Sequence, residues 1–261
     1  MKILKIKSII LIKLGGSIIT QKDKEYTFIP DVVKRLAKEI KRANIPVLIA
    51  HGGGSYPHTS AKKYGGAKGY ISTWGIAKVA RDAMEINRLV MDVLLDEKIP
   101  AVSFRPMSMI LANKGKVSKK MFEPILEALN QGLIPVIYGD VIWDKTFKST
   151  IFSGEKTLNL VAEYLLKNKY KVEKIIEVGT TDGVLDANGK TINVITKRNL
   201  TDIKKIIFVT KNDVTGGMIH KIEEAIKIAQ KGIFTYIING KLKNELLNCL
   251  TSKKVKGTII K

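Results

Sequence analysis

The chain has 261 residues, 45% hydrophobic and 26% charged, a length and balance suited to one large α/β domain or two tightly joined lobes around a real core. Its net charge of +21 attracts anions of any kind, whether nucleic acid, acidic membrane or phosphorylated metabolites. Only six of the 45 basic residues are arginine, the preferred reader of base edges, and the lysines are scattered close to glutamates, so we read a solvated lysine-rich surface and expect no nucleic-acid partner.

Met1 to Leu14 is basic with a short apolar run, but Lys13 interrupts it and no small-residue cleavage site follows. It reads as a strand, not a signal peptide. In chain order Ser8–Leu14, Pro46–Ala50, Ala101–Phe104, Pro135–Tyr138, Lys174–Val178, Ile206–Thr210 and Thr235–Ile238 read as strands. Between them Pro30–Ala43, Trp74–Glu97, Lys120–Gln131, Glu155–Asn168 and Gly217–Lys231 read as helices. This alternation predicts an open αβα sandwich with a mostly parallel central sheet. The near-continuous apolar run Ile9-Ile10-Leu11-Ile12 suits a sheet buried on both faces.

Val141–Phe152 is short, mixed and turn-rich, so a β-hairpin lid is expected there. The rhythm restarts near Lys171, which suggests two lobes, residues 1–170 and 171–261, sharing one continuous sheet. No segment approaches the roughly 20 apolar residues of a membrane span. The lone Cys249 excludes an internal disulfide framework and fits a reducing cytoplasm, the expected location.

Three glycine-rich turns follow predicted strands: Lys13-Leu14-Gly15-Gly16-Ser17, His51-Gly52-Gly53-Gly54-Ser55 and Asp213-Val214-Thr215-Gly216-Gly217, the last leading to Lys221. Ligand sites in open α/β sheets lie at such carboxyl ends. Glycines let the backbone approach a ligand, and successive N–H groups at a helix start form an anion nest. Three such turns, each near a lysine or histidine, point to phosphate binding. The usual nucleotide fingerprints are absent: Gly183 to Gly189-Lys190-Thr191 has one residue too many for a P-loop, and Asp186-Ala187-Asn188-Gly189 reads as a hairpin turn.

These motifs, with Gly139-Asp140, Ser153-Gly154-Glu155 and Gly217-Met218, stand in the order of the amino acid kinase superfamily, which the chain resembles from Lys13 to Ile259. His51-Gly52-Gly53-Gly54-Ser55-Tyr56-Pro57-His58, with a histidine four residues after the last glycine, resembles the isopentenyl phosphate kinases within it. The resemblance implies ATP over the carboxyl-terminal half, an alkyl phosphate acceptor over the amino-terminal half, Mg²⁺, no metal-ligating set of side chains, and a homodimer. It also implies the reaction that converts isopentenyl phosphate and ATP to isopentenyl diphosphate and ADP.

By the same resemblance, Lys13 and Lys221 reach the β- and γ-phosphates from opposite lobes, and Lys22 stabilises the transition state. Gly15, Gly16, Ser17, Gly54, Thr180, Asp182, Gly216 and Gly217 line the nucleotide. Gly53, His58 and Gly154 meet the acceptor phosphate, and Glu155 and Asp140 align the lysines. His51 is read as an orienter of the glycine nest. Trp74, Ile76, Val79, Ala80, Ala83 and Ile86 fall at helical spacing; of these, Ile76, Val79 and Ala83 would hold the apolar tail, closed by Ile142, Trp143 and Ile151.

Two motifs depart from the family. Thr180 replaces the first acid of Thr-Asp-Val-Asp-Gly in Gly179-Thr180-Thr181-Asp182-Gly183, and Lys156 follows Glu155 where an acid is usual. Other acceptors within the superfamily therefore stay open: a phosphonate, another alkyl phosphate, a nucleoside monophosphate, carbamate or an amino acid. A non-catalytic nucleotide- or nucleic-acid-binding protein is a further alternative.

Overall fold

A computed structural model of the chain describes residues 7–21, 23–66, 69–70, 72–207 and 217–261. The first stretch contains β1 (Lys7–Leu14), α1 (Gly16–Ile19), α2 (Pro30–Ala43), β2 (Val47–His51), α3 (Ser55–Tyr64), β3 (Gly65–Gly66) and β4 (Gly69–Tyr70). Then come α4 (Thr73–Asp96), β5 (Ala101–Ser103), α5 (Pro106–Met109), β6 (Ile110–Asn113), β7 (Lys116–Lys120), α6 (Glu123–Asn130) and β8 (Ile134–Tyr138). They are followed by β9 (Asp140–Asp144), β10 (Lys148–Phe152), α7 (Gly154–Lys167), β11 (Tyr170–Gly179) and β12 (Val194–Ile195). The chain ends with α8 (Leu200–Ile206), α9 (Gly217–Ala229), β13 (Thr235–Asn239), α10 (Glu245–Leu250) and β14 (Gly257–Ile260).

The central sheet has eight strands in the order β12-β14-β13-β11-β1-β2-β8-β5. Every pairing is parallel except β13 with β14. Strands from before and after residue 170 meet at the β1–β11 pair, so one sheet runs through the molecule. Alternation along each strand divides the core. Ile10, Ile12 and Leu14 face α2, α4 and α10, whereas Ile9 and Leu11 face α6 and α7. Fully buried Leu36, Ile86 and Leu165 anchor these layers, and truncating any of them to alanine would cost about 2–5 kcal/mol.

Local chemistry explains the element ends. α2 starts with Pro30 and Asp31 and closes with Lys41 and Arg42 before Asn44 in the left-handed region, matching the helix dipole and the missing first-turn donor. Ser153 caps α7 by accepting from the Lys156 amide, as Ser72 caps α4 by accepting from Gly75, each worth about 1 kcal/mol. The buried carboxylate of Glu39 accepts from the amides of Asn244 and Leu247, fastening α10 to α2.

A second sheet has the order β10-β9-β6-β7. The hairpin expected in 141–152 is β9 paired antiparallel with β10. It does not stand alone, because β6 and β7 form another hairpin that pairs with β9. Its two-residue turn places Lys114 at φ 52° and Gly115 at φ 72°, as a twisted hairpin connection requires. Lysine is no signal for such a turn, and Lys-Val-Ser-Lys-Lys is mostly polar, so the sequence pattern passed over it. The expected strand Ile206–Thr210 is corrected at its start, since Ile206 ends α8; residues 208–210 lie outside the described residues. The Asp186–Gly189 turn is a hairpin turn, with Gly189 N–H donating to Asp186 O at 3.0 Å and Leu185 bridging Thr191. Among the described residues no helix is long and apolar enough to cross a membrane.

Candidate active site

The ends of β1, β2 and β8 lie in line at one edge of the central sheet, and the first two glycine turns and Gly139 follow them; residues 213–216 of the third turn lie outside the described residues. Gly15 N–H donates to Val178 O at 2.8 Å, Gly52 N–H to Leu14 O at 2.9 Å and Gly139 N–H to His51 O at 3.1 Å. The first two turns then pack backbone on backbone. A Cβ built on Gly16 would lie 2.6 Å from the Gly54 nitrogen, and one on Gly52 would lie 2.7 Å from the Gly16 nitrogen. Only glycine permits that approach. α3 begins here, with Ser55 N–H held by Thr20 Oγ1 at 3.0 Å, and its N-terminal amides carry partial positive charge.

Lys13 follows Leu11 on the α7 side of β1, where a buried ammonium needs a partner. Glu155, in the first turn of α7, supplies it through an ion pair with Lys13 Nζ. Gly154 sits against the same lysine: a Cβ there would meet the His51 carbonyl at 2.9 Å and Lys13 Cε at 3.5 Å. Burial works against the Lys13 ammonium, but Glu155 and Glu177 outweigh it and raise its pKa. Burial likewise opposes ionisation of Glu155, and Lys13 and Lys221 overcome it and lower its pKa. Lys221, on α9, thus belongs to the same charged cluster. Gly217 opens that helix, while Lys22 and Gly216 lie outside the described residues.

Glu177 is the residue that the sequence reading missed here. It stands directly beside Lys13 in the β1–β11 register and is buried. The available signal was a charge inside the apolar run Ile175-Ile176-Glu177-Val178, the same break that marks Lys13 in β1.

The two lysine-aligning candidates have different partners. Glu155 meets Lys13, whereas Asp140 is held by Arg105 and by its own strand. Its Oδ2 accepts from Arg105 Nε at 3.3 Å and its Oδ1 from Val141 N–H at 2.8 Å. The reason is position: Asp140 opens β9, beyond β8, and the loop after β5 brings Arg105 to it. Arg105, one of the six arginines, was also missed, although it follows a strand end.

On the other face of the sheet His51 is fully buried and stacks on Tyr138. Its Nε2 lies 3.2 Å from Asn87 Oδ1 and its Nδ1 3.0 Å from Gly52 O. Burial lowers its pKa against the hydrogen bonds to Gly52 and Asn87, and those contacts make it a brace for the turn. His58 lies one turn into α3 with its side chain exposed.

Ile76 and Val79 pack with Val141, Ala61 and Met107 in a small cluster apart from the main core; Ala83 is fully buried and Trp74 is exposed. Ile151 pairs with Val141, and Trp143 lies two residues along on the same face; both are exposed. Ile142 cannot join them. Successive strand residues point to opposite faces, and Ile142 is buried in the α7-side core.

At the end of β11, Asp182 Oδ1 accepts from Asn239 Nδ2 at 2.7 Å, which ties the loop holding Thr180 to the end of β13. Lys156 lines a shallow cleft between α7 and α9 with Asn159, Glu224 and Lys227.

Known proteins share this plan. A model of the amino acid kinase family matches residues 8–239. An isopentenyl phosphate kinase of Methanothermobacter thermautotrophicus is 34% identical, with 96% of this chain and 98% of that protein aligned. One of Methanocaldococcus jannaschii is 33% identical, with 96% and 97% aligned. A solved isopentenyl phosphate kinase structure superposes with a TM-score of 0.76 at 31% identity, covering 97% of this chain and all of that one (100%). The chain belongs to the amino acid kinase family and, within it, to the isopentenyl phosphate kinases.

Proposed function

We propose that the chain is an ATP-dependent phosphotransferase that converts isopentenyl phosphate to isopentenyl diphosphate. The observation that carries this reading is the buried Lys13–Glu155 pair at the sheet's carboxyl edge, within the field of Lys221. Two polyanions must meet in line, and charge spreads over the transferring group. Catalysis is then chiefly positioning and electrostatic stabilisation. A lysine already fixed by a carboxylate needs little reorganisation to serve that role.

In this reading residues 171–261 hold the nucleotide and residues 1–170 the acceptor. Lys13 and Lys221 meet the β- and γ-phosphates, and Lys22 stabilises the transition state. Gly15, Gly16, Ser17, Gly54, Gly216 and Gly217 present backbone to the phosphates, while Thr180 and Asp182 border the nucleotide. Gly53, His58 and Gly154 face the acceptor phosphate. Ile76, Val79 and Ala83 form the floor beneath its tail, with exposed Trp143 and Ile151 at the rim. No general base is required, because a phosphate monoester is largely ionised near neutral pH.

Mg²⁺ belongs to the reading as the ion that neutralises phosphate charge. Among the described residues no group of three acidic, histidine or cysteine side chains could hold a metal. The nucleotide phosphates and water would supply most of its ligands, as is common for this ion. A homodimer and a cytoplasmic location complete the proposal, and light scattering of the purified protein tests the first.

The decisive experiment is ADP release from ATP with isopentenyl phosphate, compared against dimethylallyl phosphate, geranyl phosphate, nucleoside monophosphates and amino acids. Turnover strongest with isopentenyl phosphate is expected. Turnover confined to an amino acid or a nucleoside phosphate would replace the acceptor, and no turnover with any would remove the catalytic reading.

A further inference from the structure

Glu177 has no counterpart in a purely structural account of the sheet. Its strand lies between β1 and β13, and the neighbours of Glu177 in register are Lys13 on one side and Ile237 on the other. Two residues back on the same face, Ile175 packs with Leu11, Leu158 and Leu165 in the α7-side core. The side chain is buried and its Oε2 has no hydrogen-bond partner among the described residues. A buried carboxylate oxygen left unmatched is costly, and native proteins rarely keep one without a reason.

Lys13 gains its counterion from Glu155, so a second carboxylate beside it is redundant for holding the ammonium. The charged groups acting on Glu177 from the elements around it are Lys13 of β1, Glu155 of α7 and Lys221 of α9. With all of them ionised, the two lysines are balanced by the two glutamates, and the cluster offers a polyphosphate no net attraction. Neutralising one glutamate leaves it positive.

We propose that Glu177 is a proton-gated positioning residue: buried beside Lys13 in the sheet with a carboxylate oxygen unpartnered among the described residues, it takes up one proton from solvent when a nucleoside triphosphate binds. This deepens the kinase reading and rests on it. The proton adds to a Glu177 carboxylate oxygen, no bond to the nucleotide forms or breaks, and the cluster around Lys13, still held by Glu155, turns a net positive charge to the phosphates. Burial and the nearby Glu155 already push the Glu177 pKa upwards, with Lys13 opposing them. An arriving polyanion pushes in the same direction as Glu155.

The test is titration calorimetry of wild type and Glu177→Gln with a non-hydrolysable ATP analogue, in buffers of different ionisation enthalpy. Near and above neutral pH the wild type is expected to take up about one proton more than the variant, and its affinity to fall by up to about tenfold per pH unit relative to it. If the glutamine variant does not fold, Glu177→Leu serves, since an apolar residue suits this face of the sheet. Equal proton uptake and equal pH slopes in wild type and a folded variant would overturn the inference and leave the kinase reading intact. No binding of the analogue to either protein would overturn both.

Discussion

Lys13 and Glu155, 142 residues apart in the chain, meet in an ion pair where the end of β1 touches the first turn of α7. Glu155→Gln should lower kcat about a hundredfold or more, because Lys13 loses the partner that fixes its direction. Stability should respond to pH as well. The folded pKa of Glu155 is depressed, so its contribution is present above the ordinary carboxylate value of about 4.3 and fades as pH falls through the folded value. Urea melts should show a deficit of about 3 kcal/mol near neutrality that shrinks below about pH 4. A deficit independent of pH would contradict the assignment.

Lys22→Ala should reduce kcat by roughly 10²–10³ while nucleotide affinity stays close to wild type, since a charge acting on the transition state leaves the ground state little changed. Single-turnover kinetics and calorimetry together check this. A rate within a factor of about two of wild type would move Lys22 to the solvated surface.

For His58 the expected signature is on the acceptor side. His58→Ala should raise KM for isopentenyl phosphate about tenfold or more, the loss of one charge-assisted contact, with ATP affinity little changed. An unaltered acceptor KM would return this exposed histidine to a surface role.

Gly16→Ala tests the backbone contact between the first two turns. Its Cβ would lie 2.6 Å from the Gly54 nitrogen and 2.8 Å from the Gly54 Cα. The backbone must therefore shift, at about 1–3 kcal/mol. Lower urea midpoints and reduced kcat are expected together. A variant with wild-type stability and rate would show that the two turns are not locked to one another.

Strands of unbroken apolar residues and helices of clear 3.6-residue period depend on local burial, so β1, β2, β8, α2, α4, α7 and α9 are legible in the sequence, as is the hairpin of β9 and β10. The glycine turns are legible for the same reason, because only a ligand or a close backbone approach explains so many at strand ends. Lys13 and Glu177 both break apolar runs, and either could be suspected from the pattern alone.

The pattern could not reveal which charges face one another. Glu177 stands beside Lys13 because of the β1–β11 register, and Asp140 turns to Arg105 because β8 and β5 are neighbours. Those pairings come from strand order and register between segments far apart in the chain, and Coulomb attraction in a buried site depends on distance in space. The chain's residues determined the fold class and the kind of ligand; its tertiary packing decided the partner of each charge.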